Sequence, residues 1–350
     1  MKKVSFPLCI CLLIVYTYSS ISVFAQKKEQ VQLIDHPADK YVEVKVANAL
    51  FTSFLYQDTL YKPVLFPVYA PGGEIITRGY PLIPRSGEPT DHPHHQGIWF
   101  NYENVNGLDF WNNSFAIPQD KKANYGAIKN VQLLSLTSGK NAELHYSADW
   151  ININGHILLK EDTRLQFTAY NNMNIIDRFT TLTAIEPVSF KDAKDGLLGI
   201  RVAKELQIPT METRQFKDDK GIITVVKALK DSSINGNYLT SERKEGDSAW
   251  ATRGKWCLLY GRKGGGIISI AVIDHPANPG YPTYWHARGY GLFAANPLGQ
   301  QIFSNGKEQL NYKLKMGESA VFKYRIVIAN GNKRLEIKQL EKLATDFSIK

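Results

Sequence analysis

The densest group of side chains able to do chemistry is Asp91-His92-Pro93-His94-His95-Gln96-Gly97, followed by Ile98-Trp99-Phe100 and Val105-Asn106-Gly107-Leu108-Asp109-Phe110-Trp111. A proline disfavours the helical region for the residue before it, so His92 is expected in extended backbone. Residues two apart on an extended chain project to the same side. His92 and His94 would then share a metal ion or a substrate oxygen. Asp91 is placed to orient one ring through its other nitrogen, as carboxylates do behind metal-bound histidines. Asp-x-Pro is also turn chemistry, but Asp91, His92, His94 and His95 together are dense for a plain turn.

A second group, Asp274-His275-Pro276 with Asn278, runs on to Tyr284-Trp285-His286-Ala287-Arg288 and Asn296-Pro297. The apolar run Gly266 to Ile273 should deliver His275 to the start of a loop. On an extended segment His286 and Arg288 share a side with Tyr284. An aromatic ring, an imidazole and a guanidinium on one face suit a sugar ring or a carboxylate; the plainer alternative is Arg288 packed on Trp285. A further Asp35-His36-Pro37 has no histidines or tryptophans beside it and reads as coincidence.

Alternation places Glu161 and Thr163 on one strand face and Asp162 and Arg164 on the other, and such charges are commonly cross-strand pairs. The same holds for Asp177-Arg178 and for the run from Lys191 into Ile200-Arg201-Val202. Trp250, Arg253 and Trp256 offer aromatic planes, though core packing is the commoner role of tryptophan. The sequence has no nucleophile elbow, phosphate-binding glycine loop, dinucleotide fingerprint or paired CxxC, so nucleotide chemistry is unsupported.

The elements that must position these groups are strands. Tyr41 to Val46 and Ala320 to Ile328 alternate apolar and polar residues with period two. Leu144 to Ile153 meets Ile157 to Ala169 across Asn154-Gly155, a dipeptide suited to a tight hairpin, and Ile175 to Ile185 follows antiparallel. No alternation of strands with long helices appears, which disfavours a doubly wound parallel fold. Ile337, Leu340, Ala344 and Phe347 recur at helical spacing and predict one terminal helix. The expected fold is all-β: one domain over residues 26–350, a large antiparallel β-sandwich with a short C-terminal helix.

Lys2 and Lys3, the apolar run Val4 to Val15 and Val23-Phe24-Ala25 have the order of a cleavable signal peptide, residues 1–25. The expected location is periplasmic or secreted, with no membrane association after cleavage. Cys9 and Cys11 leave with the signal, and Cys257 alone cannot form an internal disulfide. Of 42 Lys and Arg, 40 then remain against 33 acidic residues, scattered rather than striped. A nucleic-acid partner is not expected.

Five stretches, DHPHHQGIWF at 91–100, VNGLDFW at 105–111, KDGLLGIRV at 194–202, WATRGKW at 250–256 and DHPANPGYPTYWHARGYG at 274–291, resemble the PmoA-like family, catalogued as methane oxygenase PmoA. The chain departs from that pattern at Gln96, where Arg is usual, and at Asp195, where Glu is usual. The resemblance implies a fold similar to galactose mutarotase-like proteins and an association with sugar-processing enzymes. It also singles out Lys194 and Glu161. On this reading the ligand is a small carbohydrate, and epimerisation, elimination and hydrolysis stay open. His92, His94, His95, His275 and His286 would be the acid and base groups, with Glu161 in reserve. Trp99, Asn106, Asp109, Trp111, Lys194, Trp285 and Arg288 would contact substrate. A variant adds a divalent metal on His92, His94 and His286. The alternatives are a non-catalytic glycan-binding protein on a tryptophan platform and a copper-dependent oxygenase.

Overall fold

The computed structural model describes residues 27–210, 212–217, 222–228 and 231–350. The expected signal peptide lies outside them.

Two eight-stranded antiparallel sheets make up the architecture. In spatial order the first holds Val31–His36, Tyr41–Val46, Ala49–Leu55, Val64–Val68, Ile98–Tyr102, Gly196–Arg201, Leu292–Asn296 and Tyr284–Ala287. The second holds Asn237–Thr240, Trp256–Lys263, Gly266–Asp274, Ser319–Gly331, Met173–Ala184, Ile157–Tyr170, Ala142–Ile151 and Ala127–Thr137. Residues 142–184 run as a meander, as the alternation predicts. The turn at Asn154-Gly155 is wider than a two-residue hairpin. Asn152 Oδ1 accepts the N–H groups of Asn154 and His156, at 2.9 and 3.0 Å, and Gly155 supplies the positive φ of 80°.

Period-two alternation sorts the strands' side chains into an inner and an outer set. Phe100, Leu198, Phe293 and Trp285 of the first sheet meet Leu144, Trp150, Phe322 and Ile326 of the second in the core. The outer face of the second sheet carries Leu258, Ile273 and Val327. The helix Ile337–Ser348 covers them with Leu340 and Phe347. Glu336 and Gln339 form the capping box that starts this helix. Among the described residues no helix is long and apolar enough to cross a membrane.

The first sheet's outer face is different. It carries Trp99, Leu292 and Ala294, over which Trp111, Val226 and Tyr290 fold in from loops and a small hairpin, Arg214–Lys217 with Ile223–Val226. The candidate site lies on this face.

Candidate functional site

Register decides which residues reach the outer face. Trp99, Gly199, Ala294 and His286 stand opposite one another across four adjacent strands. Arg201, two residues beyond Gly199, joins them on that face, whereas Trp285 turns inward. A Cβ at Gly199 would stand 2.5 Å from Trp99 and 2.8 Å from Trp111, so the indole rings can lie on the sheet only over glycine.

The histidine loop departs from its expected conformation. His92 is not extended: its φ is +44°, in the left-handed region, and His95 N–H donates to His92 O at 3.0 Å to close a turn. Such backbone costs about 1–3 kcal/mol and persists only where the surroundings fix it. Buried cations do the fixing. Arg78 Nη2 donates to the carbonyls of His92 (2.9 Å) and His95 (3.1 Å), Arg78 Nη1 to that of Asp91 (2.7 Å), and Lys62 Nζ to that of His94 (2.8 Å). The turn, rather than strand alternation, gathers the three imidazoles. Ring centroids are 4.3 Å apart for His94 and His95, 4.7 Å for His92 and His95, and 5.5 Å for His92 and His94. Tyr290, His92, His95 and Trp99 form a continuous stack with spacings of 5.0, 4.7 and 5.3 Å.

Asp91 holds the His92 ring. Its Oδ2 lies 2.5 Å from His92 Nδ1, and both its oxygens accept from Arg201 Nη2 at 2.8 Å. Arg78 Nη1 adds a contact at 3.2 Å to Oδ1. Burial would raise the Asp91 carboxyl, but Arg201, the His92 hydrogen bond and Arg78 outweigh it and hold the group well below the usual carboxylate range. An ionised Asp91 only accepts, so Nδ1 carries the His92 proton and Nε2 is the ring's basic nitrogen. Burial brings His92 down to about 4 against the opposing pull of Asp91. Burial first, then neighbouring charges, likewise keeps His94, His95 and His286 well below the usual imidazole value.

A second imidazole–carboxylate pair lies in the same cavity. His286 Nδ1 is 3.2 Å from Asp195 Oδ1 but without hydrogen-bond alignment, and Lys194 Nζ is 3.5 Å from Asp195 Oδ2. Asp195 raises the Lys194 ammonium above its ordinary value, against burial. The cavity measures about 430 Å³, within the range of small-molecule sites. His92, His94, His95 and His286 line it with Lys194 and Arg288; Asn112, Ser114, Tyr80 and Tyr290 add hydroxyl and amide groups.

Other residues singled out from the sequence lie elsewhere. His275 sits at the second sheet, its ring edge-on to Phe347 at 5.2 Å, because its loop packs under the terminal helix. Glu161 is buried between the sheets, bound to Tyr146, Trp150, Thr163 and Arg178 at 2.7 to 2.9 Å; alternation sends it inward, so it is not a reserve base for the cavity. Trp285 faces the core for the same reason and forms no substrate wall. Trp99 and Trp111 back the stack at 1% and 0% exposure instead of lining the cavity. Trp111 Nε1 donates to His95 Nε2 at 3.3 Å. Asn106 pins an exposed turn through Glu186, Pro187 and Ser189. Asp109 acts one layer back, accepting both the N–H and the side-chain amide of Asn112 at 2.9 Å.

The metal variant does not fit the donor set. A zinc-type site takes at least three protein ligands in a fixed geometry. Among the described residues no group of three or more His, Cys, Asp or Glu is arranged to hold a metal ion. Three residues central to the site carried little sequence signal: Arg78, Arg201 and Tyr290. The available clue was Arg201 inside the apolar run Leu197 to Val202, since a charge there must be paired.

Among solved structures, the chain is similar to a GH36 alpha-galactosidase, AgaB, from Geobacillus stearothermophilus (10% identity, 86% of this chain and 41% of that one, TM-score 0.33). It is also similar to a galactose mutarotase related enzyme from Lactobacillus acidophilus (10% identity, 88% and 100%, TM-score 0.30) and to the galactosidase domain of the alpha-galactosidase-sucrose kinase AgaSK (8% identity, 86% and 42%, TM-score 0.36). The chain thus spans less than half the length of both galactosidase chains. No curated protein matches it. The family model that matches is described only as a family of unknown function. Its sequence profile covers residues 41–345, so this chain belongs to the family of unknown function DUF6807.

Proposed function

We propose that this protein is an exported enzyme that transfers a proton to and from a small carbohydrate, with His92 as the base. The observation that carries the reading is the hydrogen-bonded pairing of His92 with Asp91, in one cavity with His286, whose ring lies 3.2 Å from Asp195. The remaining lining joins polar groups, Asn112, Ser114, Thr90, Lys194 and Arg288, to aliphatic ones such as Ile117 and Ile223, a mixture that suits the polar edges and apolar faces of a sugar ring. With its Nδ1 proton committed to Asp91, His92 is neutral at neutral pH and takes a proton through Nε2.

This arrangement favours epimerisation or elimination over hydrolysis. Glycoside hydrolysis uses one protonated carboxyl and one available carboxylate. Asp91 is committed to Arg201 and His92, and Asp195 stands between Lys194 and His286. The proton is returned by a group that stays protonated at neutral pH, and Tyr290, pushed up to about 12 mainly by burial, is such a group. A glycan-binding protein would need an exposed aromatic platform, but Trp99, Trp111 and Trp285 are buried.

Incubating a panel of sugars and sugar acids with the protein in deuterated water tests the proposal. Proton NMR should reveal one ligand that gains deuterium at carbon or loses a substituent, and His92→Asn should abolish the change. Saturable binding with no exchange and no product for any ligand would establish a binder instead.

A further inference from the structure

Charges of both signs surround the cavity. Arg78, Arg201, Lys194 and Arg288, with Lys62 brought down to about 7 by burial, stand in or behind it beside Asp91, Asp195, Glu103 and Asp109. The deeper groups are committed to the fold. Arg78 and Arg201 hold the histidine loop, Lys62 holds the His94 carbonyl, Glu103 accepts the Asp195 N–H at 2.9 Å, and Asp109 binds Asn112. Among the described residues, the cations that reach the lining are Lys194, paired with Asp195 at 3.5 Å, and Arg288, whose guanidinium lies over Trp250 at 5.3 Å. They flank His286, one from the segment before Gly196–Arg201 and the other just after Tyr284–Ala287. The four imidazoles add no positive charge of their own at neutral pH.

We infer that the ligand carries a carboxylate bonded to the carbon that gives up its proton, as in a uronic acid, and that Lys194 and Arg288 are its counter-cations. The inference rests on the proton-transfer reading above. A proton beside a carboxylate is very weakly acidic, because its removal places a second negative charge on the carboxyl group. Preorganised cations aimed at that charge are what the step requires. In the forward step the C–H bond breaks, the proton goes to His92 Nε2, and the electron pair moves onto the carboxyl oxygens as a dianionic enediolate facing Lys194 and Arg288. Return of a proton to the opposite face of the carbon gives the epimer. Expulsion of an oxygen substituent from the next carbon, with a proton supplied to that oxygen, gives the unsaturated acid. Neither outcome needs an oxidant or a co-reactant.

Calorimetric titration of galacturonate and glucuronate beside galactose and glucose, on wild type and on Lys194→Met with Arg288→Met, tests the assignment. A uronate should bind at least about tenfold tighter than its neutral counterpart at low salt. That preference should shrink as ionic strength rises and disappear in the double variant. Uronate turnover, followed by the ultraviolet absorbance of the unsaturated acid and by NMR of the epimer, should be lost in His92→Asn. A neutral sugar that binds as tightly as its uronate, or a preference that survives in the double variant, overturns the carboxylate assignment. His92-dependent exchange in that neutral sugar would leave the proposed function standing. Absence of His92-dependent exchange in every sugar overturns both.

Discussion

The tripeptide Asp-His-Pro occurs in two places that began as candidates for the same site, and the fold gives the copies different work. At 91–93 the carboxylate grips the imidazole at 2.5 Å, and two buried guanidinium groups grip the carboxylate. At 274–276 the carboxylate turns to its own loop, accepting the N–H groups of His275 (3.1 Å) and Thr283 (2.8 Å) and the amide of Asn278 (2.7 Å). His275 is left to pack on Phe347. The electrostatics diverge accordingly. Burial raises Asp274 to about 7, whereas Arg201, His92 and Arg78 hold Asp91 well below its ordinary range. What separates an acid–base pair from a loop staple is the cationic setting supplied from distant strands, and the tripeptide itself does not encode it.

The sharpest break of this comparison is a matched pair of substitutions. Asp91→Asn should lower turnover by about 10²- to 10⁴-fold, while Asp274→Asn should leave it within about twofold. Initial rates on the ligand found by deuterium exchange would check this. Equal losses in both variants would remove the distinction.

Next in size is the clamp. Arg201→Met leaves Asp91 buried without its bidentate partner, a change that costs about 3–5 kcal/mol, read by denaturant unfolding. Arg253→Met, on the far loop, breaks contacts to the partly exposed Glu308 and to loop carbonyls. Its ion pair is worth about 1 kcal/mol or less.

The two carboxylates also give stability slopes of opposite sign. Asp91 has a depressed folded value, so its contribution is present above the usual carboxylate range and is lost as pH falls below it. Asp274 has a raised folded value, so the folded state binds more protons, and stability is lost as pH rises from about 4 through about 7. The advantage of wild type over Asp274→Asn in unfolding free energy should therefore shrink as pH rises from about 4 to about 7, against the opposite slope that the buried neutral histidines give both proteins. The activity profile follows His92: kcat/KM should hold steady above about pH 5 and fall as the ring protonates near about 4.

The smallest effect expected is that of His275→Ala, which removes an edge-on aromatic contact and the acceptor of the Ala277 N–H, each worth about 1 kcal/mol, and leaves turnover unchanged.

Much of the scaffold was legible because strands write their burial into period two. Tyr41–Val46 and Ser319–Gly331 read directly, and so did the pairing of His286 with Arg288 on one side. The same rule, carried one step further, would have sent Trp285 and Glu161 inward. The histidine loop was half legible. Its composition marked the site, but Pro93 pointed to an extended His92, and the left-handed turn depends on Arg78, whose link to the loop is tertiary. The tryptophans misled because an aromatic plane is as useful behind an imidazole as beside a sugar. Gly199, the residue that admits them, has no signature of its own.

The most direct test of the central claim is nitrogen-15 NMR of histidine-labelled protein, with His92→Asn to assign the resonance. At pH 7 the His92 ring is expected to be neutral with its proton on Nδ1, and to protonate only near about pH 4. A His92 that carries its proton on Nε2, or that titrates near the ordinary value of 6.5, would contradict that claim.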